Sequence, residues 1–246
     1  MKNHLAYRIA HFSHRTLKKM IPPQYQRLFS YAQSGEDIIV SNLLNRLGIL
    51  HPLYLDIGAH HPTHFNNTYL FYKQGATGIC VEPDGYFAHI LKKYRPKDTI
   101  LNVGVSADAT TEADFYQLNP PTLSTFCAED AHQLTADGIA QIKQIVKIPL
   151  LTINDIIENN CQRTPDYITI DVEGWNQAIV ESFNFSRYRP PVFCIETITF
   201  APDNSGSKIQ AIFDVMRRNG YWVYGETHIN TIFIDKNIHS ENIMTT

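Results

Sequence analysis

Residues 54–84 read YLDIGAHHPTHFNNTYLFYKQGATGICVEPD. Two short apolar runs, YLDI and GICV, carry an acid at their carboxyl ends, Asp56 and Glu82. Between them lie one Gly-Ala turn, three histidines and a segment with polar starters that stops at Gly75. The apolar runs predict buried strands, and NNTYLFYKQG predicts a short helix between them.

The same alternation extends in both directions. GEDIIVSNLLNRLG (35–48) predicts a helix with Ile39, Leu43, Leu44 and Leu47 on one face and Gly48 as its stop. DGYFAHILKKYR (84–95) predicts a helix with Asp84 as N-cap, and TILNVGVS (99–106) a third strand. Residues 108–150 are less regular: EADFYQL (112–118) reads as an extra strand, and AEDAHQLTADGIAQIKQI (128–145) as a helix interrupted by Gly138. Alternation then returns with DYITIDVEG as strand, WNQAIVESF as helix, PVFCIET as strand and SKIQAIFDVMRRNG as an amphipathic helix stopped by Gly220. YWVYGE and NTIFID close the chain as a hairpin. This order predicts an α/β, Rossmann-like, doubly wound fold. Its seven-stranded sheet is mostly parallel with helices on both faces, and the hairpin supplies an antiparallel edge strand.

The totals narrow the function classes. A chain of 246 residues can bury a large core. A formal charge of −3 argues against a nucleic-acid partner held by a basic surface. Cys80, Cys127, Cys161 and Cys194 form no CxxC pair and read as reduced core cysteines of a cytoplasmic protein. No apolar run reaches the roughly 18–20 residues a transmembrane helix needs. MKNHLAYRIAHFSHRTLKKM is basic, with spaced apolar residues, and predicts a helical arm; IPPQYQ (21–26) is its linker. A homodimer is compatible with these totals.

In an open α/β sheet, ligands bind beyond the carboxyl ends of the strands. Glu82 follows Asp56 by 26 positions, close to the spacing at which an acid meets the ribose hydroxyls of a nucleoside. Yet DIGAHHP has one glycine, not G-x-G-x-x-G, and its proline removes a backbone donor; no P-loop occurs anywhere. The turn suits a cation better than a phosphate. S-Adenosylmethionine offers a ribose and adenine without phosphate, plus an ammonium and a sulfonium.

AQSGEDIIV (32–40), the long 53–84 stretch, LNVGVS (101–106) and ITIDVEGW (168–175) together resemble the FkbM-type methyltransferases. The resemblance runs over residues 31–200, with Asn66-Asn67-Thr68 in place of the usual Ser-Asn-Thr. It implies an S-adenosylmethionine-dependent enzyme of the Rossmann-like class. The implied domain is 31–246, preceded by an arm and linker over 1–30. The implied reaction is O-methylation of a small molecule, sugar or natural product; a carboxylate or hydroxyl on a peptide is the alternative acceptor, and a catalytically silent binding module the other reading.

Carried over, the resemblance places Asp56, Gly58, Ala59 and His60 in the first cofactor loop and Asn67 and Thr68 on the following helix. Glu82 holds the ribose, flanked by Pro83 and Asp84. Asn102, Val103 and Gly104 pass the adenine, Asp171 lies beside the methionine moiety, and Glu36 closes over the cofactor. Methyl transfer to a neutral hydroxyl needs a base; the candidates are Asp171, Glu173 and His61, with His60 and His64 nearby in sequence. Asp171, Glu173 and Glu196 are also oxygen ligands of a kind that suits Mg²⁺, but no metal is assigned. Acceptor contacts are expected from His64, Ser124, Thr125, Trp175 and Glu196, under lids at 118–126 and 196–206, with Tyr116, Phe126 and Phe200 as apolar wall.

Overall fold

The computed structural model describes residues 29–172, 174–199 and 206–238. The expected N-terminal arm, Glu173 and Phe200 lie outside the described residues. The elements, in chain order, are α1 (Glu36–Arg46), β1 (Tyr54–Ile57), α2 (Tyr69–Gln74), β2 (Gly78–Val81), α3 (Gly85–Tyr94), β3 (Thr99–Leu101), β4 (Gly104–Ser106), β5 (Glu112–Asn119), α4 (Ala128–Ala136), β6 (Gln141–Thr152), α5 (Ile153–Asn160), β7 (Tyr167–Ile170), α6 (Asn176–Ser182), β8 (Val192–Glu196), α7 (Gln210–Arg218), β9 (Tyr221–Glu226) and β10 (Asn230–Asp235).

Seven strands form one sheet in the order β3-β2-β1-β7-β8-β10-β9. The pairings from β3 across to β8 are parallel. The closing hairpin makes the antiparallel edge: β10 runs against β8, and β9, the outermost strand, runs against β10. Strand pleating sends successive side chains to opposite faces. Leu55, Ile57, Ile168, Ile170, Phe193 and Ile195 pack under α5, α6 and α7, whereas Tyr54, Cys80, Tyr167, Val192 and Cys194 pack under α1, α2 and α3. Both faces are therefore covered by helices, as a parallel sheet requires.

Three expectations between residues 99 and 160 need correction. TILNVGVS is two strands, because the Asn102 side chain donates to the carbonyls of Glu82 and Pro83, both at 2.9 Å, and turns the chain out of the sheet. The released β4 pairs parallel with β6, which pairs antiparallel with β5, to form a second, three-stranded sheet. The helix expected over 128–145 ends at Ala136, where Gly138 takes φ 70°, and the rest is strand β6. Ile142, Ile145 and Val146 have helical spacing, but this β-branched run pairs as strand. Helix α5 follows β6 where the strand–helix alternation predicts no element. Its signal was present in Thr152-Ile153-Asn154-Asp155: the Thr152 hydroxyl caps the helix by accepting from the Asp155 amide at 3.1 Å.

Two contacts set the cleft end of the sheet. Gly58 follows β1 with φ 83°, and a Cβ there would lie 1.9 Å from the backbone oxygen of Asp171 after β7. Only glycine lets the two strand ends approach so closely. Behind it, the buried Arg95 donates from Nε to Asp98 at 2.7 Å, from Nη1 to the Asn66 side-chain oxygen at 3.0 Å and from Nη2 to the Thr68 hydroxyl at 2.9 Å. It also stands 3.8 Å from Asp56.

Gly58→Ala is expected to cost at least about 2 kcal/mol, through a left-handed alanine pressed against backbone; a thermal midpoint unchanged within about 2 °C would contradict the close approach. Arg95→Ala strands the Asp98 and Asp56 carboxyls in the interior and should cost about 3–5 kcal/mol in urea unfolding. The double variant Arg95→Met/Asp98→Asn is expected to recover part of that loss.

Candidate active site

Beyond the carboxyl ends of β1, β2, β7 and β8 lies a cavity of about 340 Å³. Its lining includes Gly58, His60, Glu82, Pro83, Asp84, Ser124, Thr125, Phe126, Asp171 and Glu196. Segments distant in sequence thus meet at the end of the sheet where α/β folds bind ligands.

Glu82 follows β2 and is almost fully buried. One carboxylate oxygen accepts from the His60 amide at 2.6 Å and the other from the Asp84 amide at 2.8 Å. These donors hold the carboxylate from behind and fix its plane toward the cavity. Burial pushes its pKa up to about 8, against the two amides, which favour the charged form. Asp84 then caps α3, accepting from the amides of Tyr86 at 2.8 Å and Phe87 at 3.4 Å, while its other oxygen accepts from Gln117 of β5 at 2.7 Å. The second sheet is thereby tied to the cavity rim.

Asp171 follows β7 and faces the cavity. Its carboxyl is pushed up to about 6, first by burial and then by the negative charges of Asp56 and Glu36. Among the described residues its side chain makes no hydrogen bond or ion pair, which leaves its charge for a ligand. His60 has φ 46°, its ring lies 3.8 Å from that of Phe87, and its Nε2 is buried without a hydrogen-bond partner among the described residues. Burial, then the neighbouring His61, lowers its pKa to about 4, so the imidazole is neutral near pH 7. Glu196 accepts from the Asn176 side chain at 2.8 Å, and Asn176 in turn accepts from the Val172 amide at 2.8 Å. That bridge spans the β7 and β8 ends.

The other residues singled out in the sequence have different surroundings. The Asp56 carboxyl turns away from the cavity and accepts from the Thr68 hydroxyl at 2.5 Å and from Asn66 at 3.4 Å. Asn67 donates to the Thr169 hydroxyl at 3.1 Å. Ala59 packs in the core under α1 and α2. Glu36 accepts from the Thr227 hydroxyl at 2.5 Å and from Asn230 at 3.1 Å, fastening the start of α1 to the β9–β10 turn. Asn102 pins the loop after β2 from below. Val103, Gly104, Phe126 and Trp175 line a small apolar recess beside Pro83. A Cβ on Gly104 would lie 2.5 Å from the Phe126 ring, and Phe126 stacks on Trp175 at 4.9 Å. Ser124 and Thr125 face the cavity while accepting from the amides of Leu118 and Cys127, each at 3.0 Å. His61 and His64 sit outside the cavity lining, with the His64 ring stacked on Phe65 at 4.2 Å.

Ile198 and Thr199, from the segment expected as a lid, line the cavity, and so do Gln33, Phe65, Phe87, Phe115 and His228, for which the sequence gives no such expectation. Phe65 and His228 have positive φ, 51° and 69°. Neither is a glycine, so residue type gives no sign of these conformations. Among the described residues, no group of three or more His, Cys, Asp or Glu is placed to hold a metal ion, and no helix is long and apolar enough to cross a membrane.

The family model described as Methyltransferase FkbM domain matches residues 56–223, well over half of the chain. No curated protein matches by sequence. Solved structures with a similar fold include a putative caffeoyl-CoA O-methyltransferase from Staphylococcus aureus. It is 10% identical at a TM-score of 0.46, over 94% of this chain and 98% of that one. A TehB-like SAM-dependent methyltransferase from Corynebacterium glutamicum is 10% identical at a TM-score of 0.42, over 92% and 97%. An O-methyltransferase from Bacillus cereus, solved in complex with SAH, is 14% identical at 0.42, over 85% and 82%. Strand order, the cleft at the strand ends and the match over residues 56–223 lead to one conclusion: the chain belongs to the FkbM methyltransferase family.

Proposed function

We propose that this protein is an S-adenosylmethionine-dependent O-methyltransferase acting on a small hydroxylated molecule. The observation that carries the reading is Glu82: a buried carboxylate, fixed from behind by two amides, facing a cavity with no glycine-rich phosphate cradle. Such a group suits two donors on adjacent carbons, as in a ribose 2′,3′-diol. Asp171 faces the cleft without a protein cation beside it among the described lining residues other than His60 and His228, which favours a cationic ligand over a phosphorylated one.

When bound, the cofactor supplies an activated methyl group on a sulfonium. The protein's own part is positional and acid–base. Glu82 orients the ribose, and Pro83 and Asp84 beside it line the same cavity. Asp171 takes the proton from the attacking hydroxyl as the oxygen–carbon bond forms; a value raised toward neutrality improves a carboxylate as a base. The stacked Phe126 and Trp175 rings keep water from that side of the cleft.

Only ionised Glu82 accepts from both hydroxyls. The affinity for S-adenosylhomocysteine is therefore expected to rise with pH until about pH 8 and then level, with a proton released on binding at pH 7. For the free protein the folded pKa lies above the reference 4.5, so ionisation costs more folded than unfolded. Its stability should fall as pH climbs from 4.5 toward 8, and the thermal shift given by the cofactor product should grow over the same interval. Glu82→Gln should weaken binding by roughly 2–4 kcal/mol at pH 8.5 and flatten the pH profile. Calorimetry in two buffers reads both effects; tight binding of a nicotinamide dinucleotide in place of the homocysteine compound would sink the assignment.

Asp171→Asn is expected to leave S-adenosylhomocysteine affinity within about threefold while turnover falls by about 10²–10⁴. An equal loss of binding and turnover would instead make Asp171 the partner of the cofactor's ammonium.

A further inference from the structure

A second cavity, about 420 Å³, adjoins the first and shares Leu123, Thr125, Glu196, Ile198 and Thr199 with it. It lies between α4, the start of α6 and the end of β8, on the side away from Glu82. Its size is that of a small-molecule pocket. Helix α4 and the loops on either side of it, which roof the cavity, belong to the 108–150 segment, whose strands lie in the second sheet and not in the seven-stranded one. Gly174 sits at the joint: a Cβ there would stand 3.2 Å from the Asp130 carboxylate and 3.5 Å from the Cys127 Cβ, so glycine is what lets the roof come down on the β7–α6 loop.

The lining has a consistent chemistry. Leu134, Ile139 and Ile209 give it an apolar floor, while Asp130, Asp137 and Glu196 add carboxylates and Gln133, Asn176 and Gln177 add amides. No lysine, arginine or histidine is found among the described lining residues. Asp130 and Asp137 are exposed at the rim, where charge selects what enters by its sign. Glu196, buried deeper and braced by Asn176, stands on the shared wall. Carboxylates and amides accept from hydroxyls and amines, and an apolar floor matches the C–H faces of a ring. A carboxylate or phosphate entering here would meet like charge and, among the described lining residues, no cation.

We infer that this second cavity is the acceptor site, and that the acceptor is a hydroxyl-rich molecule without negative charge, a neutral or amino-bearing glycoside rather than an acidic or phosphorylated one. This assignment rests on the methyltransferase reading above. It adds that acceptor choice is electrostatic and is made by the inserted segment, with Asp130 and Asp137 excluding anions and Glu196 orienting the hydroxyl that reacts. One methyl–sulfur bond breaks, one methyl–oxygen bond forms, and the hydroxyl proton leaves to the protein, so the sulfonium becomes a neutral thioether.

The test uses matched acceptors on one ring: a methyl glucoside, the corresponding glucosaminide and the corresponding glucuronide. Transfer from labelled cofactor and binding to protein loaded with S-adenosylhomocysteine are both measured. The wild type should favour the neutral and amino members over the glucuronide by at least about tenfold in kcat/KM or in affinity, a difference of about 1.4 kcal/mol. Asp130→Asn/Asp137→Asn should narrow that ratio at least about threefold, and added salt should narrow it in the wild type. Calorimetry with S-adenosylhomocysteine is the internal control. If that compound fails to bind, the cofactor reading has failed and the acceptor assignment falls with it. With normal binding, three results overturn the acceptor assignment alone: preference for the glucuronide, an unchanged ratio in the double variant, or neither transfer to nor binding of any member.

Discussion

Arg95 is the interaction on which the cofactor end of the molecule depends. A guanidinium buried without exposed atoms is tolerable only when its donors are used and its charge is matched. Here Asp98, Asn66 and Thr68 take the donors, and Asp98 and Asp56 match the charge. The rings of Tyr54 and Tyr72 flank it at 5.4 and 5.3 Å. Asp98 is itself held by the Tyr54 hydroxyl at 2.8 Å and the Gly78 amide at 3.0 Å. One side chain therefore joins β1, the loop before α2, the start of β2 and the turn after α3.

The consequence reaches the cavity through the loop 58–66. Asn66 donates to the Ala59 carbonyl at 2.9 Å and accepts from the Thr68 and Tyr69 amides at 3.1 and 2.7 Å. The loop is closed on itself, and the His60 amide has one direction left, toward Glu82. Gly58 completes the arrangement by letting β1 and β7 end side by side. Glu82 and Asp171 then face one space from two strands, with no flexible side chain between them and the backbone that sets them.

The insertion over residues 104–152 acts on the opposite side. Its second sheet is docked through Gln117 on Asp84, and Phe126 sits in the space that Gly104 leaves open. The seven-stranded sheet supplies one wall of the cavity, through Gly58, Glu82 and Asp171, and the insertion supplies another, through Phe115, Ser124, Thr125 and Phe126. The insertion meets the main fold at the rim through Gln117 and in the core through Val105, whereas α4 packs in a small cluster of its own around Leu118, Ala131 and Leu134.

Much was legible in the chain itself. The strand–helix alternation, the acid at the end of β2, the glycine of the first turn and the FkbM motifs are local patterns, written in consecutive residues and readable from propensity and spacing. The path of β4 and β6 was not legible. Ile142, Ile145 and Val146 fit a helix by period, and only pairing with β5 decides for strand. The direction of Asp56 was not legible either: an acid after a strand can face a ligand or the interior, and the choice was made by Arg95, 39 positions away, whose charge needed an internal partner. Likewise Phe65 and His228 entered the cavity through backbone conformations that no local motif announced. Sequence by itself determined which elements form and which acids stand at strand ends, because those follow from neighbours along the chain. Tertiary structure alone decided which acids face the cleft and which segments wall it, because burial and charge pairing are settled between residues far apart in sequence.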